Sequence, residues 1–170
     1  MKQVLARTVS PEATEALGEV LGAQLRPGDV LGLRGGLGAG KTQLTHGLVK
    51  GFRAHLGEAM SGRVCSPSYT IINTYEFTTA RVHHMDLYRL TDVDDLESTG
   101  YWDALADPDA VVIIEWPRQV DGALPGHGAE LVFELEDPSD PASSARLLIL
   151  EGIGDAGLRA RLLGAVAGLA

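Results

Sequence analysis

One run, Gly35-Gly36-Leu37-Gly38-Ala39-Gly40-Lys41-Thr42, limits what this chain can fold into more than any other. It matches G-x-x-x-x-G-K-[ST], a pattern that functions only when a strand leads into it and a helix leads out. Both are present. Val30-Leu31-Gly32-Leu33 reads as a short apolar strand, and from Lys41 onward Leu44, Leu48, Val49 and Phe52 recur on one helical face. Glycines let such a loop wrap with its backbone N–H groups pointing inward around a phosphate, and the helix N-terminus adds partial positive charge. The pattern therefore assigns the backbone of Gly36, Leu37, Gly38, Ala39 and Gly40 to phosphate. Lys41 reaches the β- and γ-phosphates of a nucleoside triphosphate, and Thr42 places its hydroxyl on Mg²⁺.

The remaining elements follow from periodicity. Residues 2–9 suit a short strand, and Ser10-Pro11-Glu12 reads as a helix start, with a Ser N-cap and Pro at the first helical position. Tyr69 to Phe77 and Val82 to Asp86 have strand composition, and Asp92 to Leu105 reads as a helix broken near Gly100. Ala110 to Ile114 is a continuous apolar run, as in a strand buried on both faces. Leu131, Phe133 and Leu135 alternate with polar residues and pair with Leu148 and Leu150 across the loop Asp137-Pro138-Ser139-Asp140-Pro141. Leu158, Leu162, Val166 and Leu169 mark a terminal amphipathic helix. The expected fold is α/β: a three-layer, P-loop NTPase-like sheet with helices on both faces, a C-terminal β-hairpin and a terminal helix. At 170 residues this is one domain, with residues 151–170 a helical extension.

Charge sharpens the choice of ligand. The net charge is -9, which argues against broad nucleic-acid binding. Residues 1–60 carry +2 and residues 81–170 carry -11, so an anionic ligand belongs with the first third. The later acids, among them Asp92, Asp94, Asp95, Glu97, Asp103, Asp107 and Asp109, read as solvated surface, with a docking face for a basic partner as the sharper alternative. No apolar run reaches the roughly 18 residues of a membrane span, and the start is too short and polar for a signal peptide. The single cysteine, Cys65, precludes an internal disulfide and reads as inert packing, which suits the reducing cytoplasm.

A P-loop needs an acid for the metal or for the attacking water. Glu115 follows Val111 to Ile114 and Asp86 follows Val82-His83-His84-Met85, so each ends an apolar strand at the carboxyl edge where open α/β sheets bind ligands. His83 and His84 lack the spacing of a zinc site. Trp116, beside Glu115, reads as a packed aromatic that can wall the nucleotide site.

Four segments now stand in order: Gly-Leu-Gly-Ala-Gly-Lys-Thr at 36–42, Ser66-Pro67-Ser68-Tyr69-Thr70, His84-Met85-Asp86-Leu87-Tyr88-Arg89-Leu90, and Glu115-Trp116-Pro117. Together they resemble the TsaE (YjeE) family, small bacterial P-loop ATPases required for threonylcarbamoyladenosine formation in tRNA. The resemblance runs from about Ser10 to Pro117, and more weakly to about Leu150. It implies that Lys41 binds phosphates, that Thr42 binds Mg²⁺, and that Ser66, Pro67, Ser68, Tyr69 and Thr70 form a switch-like loop near the γ-phosphate. It further implies that Asp86 and Glu115 serve the metal and the water, with Trp116 close by, and that Ser10 and Thr14 lie near the base. The implied protein is a monomer or weak oligomer alone and acts with the partners TsaB and TsaD, its ATP hydrolysis resetting that complex. Two positions depart from the family pattern: Gly36 stands where Asp is usual, and Ser68 where Thr is usual.

Two other functions compete. A small-molecule kinase needs lid arginines, and between Pro117 and Asp140 there is only Arg118. Glu115 counts against a nucleotide-dependent binding module with negligible turnover only if it orients water. A GTPase is less favoured still, because no Asn-Lys-x-Asp segment appears.

Overall fold

The computed structural model describes residues 2–58, 67, 70–137, 139, 144–152 and 154–168. Cys65, Ser66, Ser68, Tyr69 and Leu169 lie outside the described residues.

In chain order the elements are β1 (Gln3–Thr8), α1 (Pro11–Gly22), β2 (Val30–Arg34), α2 (Lys41–His55), β3 (Ile72–Glu76), β4 (Arg81–Asp86), α3 (Val93–Glu97), α4 (Tyr101–Ala106), β5 (Ala110–Glu115), β6 (Ala129–Leu135), β7 (Arg146–Glu151) and α5 (Ala156–Ala167). The strands form one seven-stranded mixed sheet in the order β1-β7-β6-β2-β5-β4-β3. β2 pairs in parallel with β5 and β6, and β5 in parallel with β4. β3, β7 and β1 join antiparallel at the two sides, β6 and β7 forming the C-terminal hairpin. The P-loop thus leaves the middle strand of the sheet, flanked by parallel neighbours whose carboxyl ends point the same way.

Period-two alternation sends each central strand's side chains to two cores. On one face Leu31, Leu33, Val111 and Ile113 pack under Leu17, Leu21, Leu44, Leu48, Phe52, Leu158 and Leu162 from α1, α2 and α5. On the other, Val30, Val112 and Ile114 pack with Leu96, Tyr101 and Ala104 of α3 and α4. This two-sided burial explains the unbroken apolar run of β5. It also confirms the three-layer arrangement, helix–sheet–helix.

Local chemistry sets the boundaries. Ser10 caps α1, its hydroxyl accepting from Ala13 N at 3.1 Å. The helical reading of 92–105 resolves into α3 and α4, split at Gly100, whose φ is +79°. The strand expected from Tyr69 starts only at Ile72, because Ile71 has φ +69° and interrupts the extended backbone.

α1 and α2 meet through a glycine seam. A Cβ built on Gly22 lies 2.2 Å from the Leu48 carbonyl oxygen, one on Gly47 lies 2.1 Å from that of Glu15, and one on Gly51 lies 2.0 Å from that of Glu19. Only glycine permits this approach, and its i, i+4 spacing repeats on both helices (Gly18 and Gly22; Gly47 and Gly51).

Candidate nucleotide and metal site

The parallel register builds one wall of the site. Asp86 pairs with Glu115, and Glu115 with Leu33, so two carboxylates emerge side by side where β2 runs into the P-loop. The loop turns into α2 at Gly40, whose φ of +108° no L-residue adopts cheaply. Gly36 differs. A Cβ there meets nothing within 4 Å and its φ is not positive, so the backbone leaves room for a side chain.

These elements enclose a cleft of about 500 Å³. Its walls include Ser10, Thr14, the run Leu37 to Thr42, Asp86, Glu115 and Trp116. The P-loop, both acids, the tryptophan, the α1 cap Ser10 and Thr14 of α1 therefore meet in one place. Of the switch-like segment only Pro67 and Thr70 are described. The Pro67 carbonyl accepts from Thr70 N at 3.0 Å, and the Thr70 hydroxyl donates to Asn73 at 2.8 Å.

Lys41 is nearly buried. Its Nζ donates to the carbonyls of Gly35 and Gly36 at 2.8 and 2.9 Å and lies 3.8 Å from the centre of the Trp116 ring. Burial pushes its ammonium pKa down, opposed by the nearby carboxylates of Glu115 and Asp86. Trp116 adopts φ +59°, an unusual conformation for a bulky residue, and its ring also rests on Tyr88 at 4.9 Å.

Glu115 is 2% exposed and held from two sides. The Thr42 hydroxyl donates to its Oε1 at 3.0 Å, and His84 Nε2 lies 2.9 Å from the same oxygen. Asp86 accepts from Tyr88 N at 3.0 Å. Thr14 uses its hydroxyl locally, beside Thr8 Oγ1 and the Ser10 carbonyl at 3.0 and 3.1 Å.

Sequence reasoning missed three residues here. His84 was set aside with His83 because neither had zinc spacing. The two part company in the structure: His83 bonds Asp107 and Thr74, while His84, on the Glu115 side of the sheet by strand alternation, reaches the site. Ser144 and Arg146 close the cleft from the hairpin, and no local signal in the sequence announces that return.

The oxygen donors Thr42, Asp86 and Glu115 on one wall fit Mg²⁺, which is bound through one or two carboxylates plus substrate phosphates rather than by an all-protein cage. No group of three His, Cys, Asp or Glu able to hold a metal occurs among the described residues.

Comparison with known proteins gives a concordant result. The family model described as "Threonylcarbamoyl adenosine biosynthesis protein TsaE" matches residues 8–145. The tRNA threonylcarbamoyladenosine biosynthesis protein TsaE of Bacillus subtilis (strain 168) is 39% identical over 134 residues, 79% of each chain. Its Haemophilus influenzae counterpart is 35% identical over 122 residues, 72% of this chain and 71% of that one. The crystal structure of Bacillus subtilis YdiB superposes with a TM-score of 0.70 at 28% identity, covering 99% of this chain and 95% of the other.

Proposed function

This chain belongs to the TsaE family, which acts in tRNA threonylcarbamoyladenosine biosynthesis, and from that premise we propose that it binds ATP with Mg²⁺ and hydrolyses it to ADP and phosphate. The observation that carries this reading is the placement of Glu115, a buried carboxylate 3.0 Å from Thr42 Oγ1 at the rim of the phosphate loop. A buried carboxylate beside the phosphate loop can take the proton of an attacking water, which turnover requires and binding alone does not.

In this reading the backbone N–H groups of 36–42 surround the β-phosphate and Lys41 bonds the β- and γ-phosphates. To do so its Nζ exchanges the Gly35 and Gly36 carbonyls for phosphate oxygens. Ser10 and Thr14 line the base side, and Trp116 walls the phosphate side. Thr42, Asp86 and Glu115 hold Mg²⁺, directly or through water, which supplies charge neutralisation on the phosphates. Glu115 accepts the proton of the attacking water. The water oxygen bonds to the γ-phosphorus as the bond from that phosphorus to the bridging oxygen breaks, leaving the electron pair on ADP.

The kinase reading loses further support. Arg118, which a lid would need, is bound to the Glu130 carboxylate at 3.0 and 2.7 Å and lines a different depression.

We assign the partners of the reaction to a TsaB–TsaD type complex in the cytoplasm, with slow hydrolysis alone and faster hydrolysis in the complex. No helix among the described residues is long and apolar enough to cross a membrane. Co-purification with the TsaB–TsaD pair, with and without ATP, tests this together with phosphate release. Capture and a rise in phosphate release on adding the pair support it. Transfer of phosphate to a metabolite instead of water overturns it.

A further inference from the structure

We propose that His84 is the positioning residue for Glu115, fixing the carboxylate so that one oxygen is anchored and the other faces the attacking water. The inference rests on the hydrolytic reading above and deepens it.

Three observations carry it. First, His84 is fully buried in β4, between Ile113 of β5 and Asn73 of the edge strand β3. A polar ring there costs free energy unless a partner repays it. Second, its partner is Glu115. His84 Nε2 lies 2.9 Å from Oε1, the oxygen that also accepts from Thr42 at 3.0 Å, whereas Thr42 is 3.3 Å from Oε2. Both close donors converge on Oε1, which leaves Oε2 the freer oxygen. Third, His84 Nδ1 is buried without a hydrogen-bond partner among the described residues. The ring proton is therefore assigned to Nε2, where the carboxylate accepts it.

The geometry also explains why the ring comes from this position. Alternation along β4 puts His84 and Asp86 on one face, and the pairing of Asp86 with Glu115 sets His84 one pleat below the carboxylate. His84 is too deep to touch a nucleotide in the cleft, and it does not line that cleft. Its influence on the reaction passes through Glu115. Rotation of the Glu115 side chain about its terminal bond, otherwise free and nearly two-fold, is removed by this donor.

The test uses the full chain with His84→Gln and His84→Asn, each alone and combined with Glu115→Gln. Gln extends an amide N–H close to the Nε2 position, and Asn is one carbon too short. His84→Asn is expected to lower kcat about 10- to 100-fold, the usual range for losing a residue that orients a reacting group. Its Mg-ATP dissociation constant should change by much less than kcat, and His84→Gln should recover most of the rate. On the Glu115→Gln background, His84→Asn should cost nothing more, because the group it orients is already gone. The proposal is overturned if Asn and Gln behave alike, if the loss falls on nucleotide affinity, or if it recurs in full on that background. Wild-type turnover in Glu115→Gln alone is a separate result. It refutes the hydrolytic role of Glu115, and with it this inference.

Discussion

The ammonium of Lys41 stacks 3.8 Å from the centre of the Trp116 ring while donating to the carbonyls of Gly35 and Gly36. The ammonium is therefore held within its own loop by groups that, in the proposed function, a triphosphate displaces. Trp116 should report that displacement. The chain has two tryptophans, so in Trp102→Phe protein the emission comes from Trp116 alone. Mg-ATP is expected to change that emission saturably, and the same titration of Lys41→Met should be flat.

Removing Lys41 should not weaken the nucleotide-free fold. Burial lowers its pKa, so the charged form is less favoured in the folded chain than in the unfolded one. That cost operates below the lowered pKa and fades as pH rises from there toward 10.5, so this group makes the fold more stable with rising pH. Lys41→Met should match or exceed the wild-type melting temperature at neutral pH while losing ATP binding. A clear drop in melting temperature contradicts this account.

Glu115→Gln keeps the size and acceptor oxygen of the side chain but not its basicity. Nucleotide affinity should remain within a few-fold, and turnover should fall by about 10²-fold or more. Single-turnover phosphate release separates the two effects.

Gly47→Ala should destabilise the protein although alanine is the better helix former. The new Cβ stands 2.1 Å from the Glu15 carbonyl oxygen, and backbone on both sides leaves it no rotamer to relax into. Overpacking of this kind costs about 1–3 kcal/mol, against roughly 1 kcal/mol of helix propensity regained. The net loss should lower the melting temperature by several degrees. Alanine at Gly36, where the space is open, serves as the control.

Tyr101 tests the opposite core. Its hydroxyl donates to the buried Ala123 carbonyl, and burial raises its pKa to about 12. Tyr101→Phe leaves that carbonyl unpaired and should cost about 1–3 kcal/mol at neutral pH. Because the folded phenol titrates later than the unfolded one, its contribution is complete below pH 10 and is lost as pH rises toward about 12. The stability gap between wild type and variant should therefore narrow in that window. A constant gap would be inconsistent with the burial of this phenol.

Much of the site was legible because its chemistry is local. The P-loop residues are consecutive, and Glu115 and Asp86 announce themselves by ending apolar strands. What escaped depends on pairing between distant segments. His84 matters because β4 and β5 run parallel in a register that sets Asp86 beside Glu115, and periodicity within β4 says nothing about its neighbour. Arg146 reaches the cleft only after β6 and β7 fold back. The glycine seam was different: its i, i+4 repeats stand in the sequence, and only their meaning waited for the helices to be seen face to face.

That seam has a mechanical consequence. Ser10 and Thr14 belong to the start of α1, Lys41 and Thr42 to the start of α2, and the two helices mesh backbone to backbone. Neither can slip a turn past the other without driving a carbonyl of one helix into the backbone of the other. The Ser10–Thr14 and Lys41–Thr42 parts of the cleft wall are consequently fixed against each other. The strand ends that carry Asp86, Glu115 and Trp116 meet them differently, through the β2–β5 ladder and the hydrogen bond from Thr42 to Glu115.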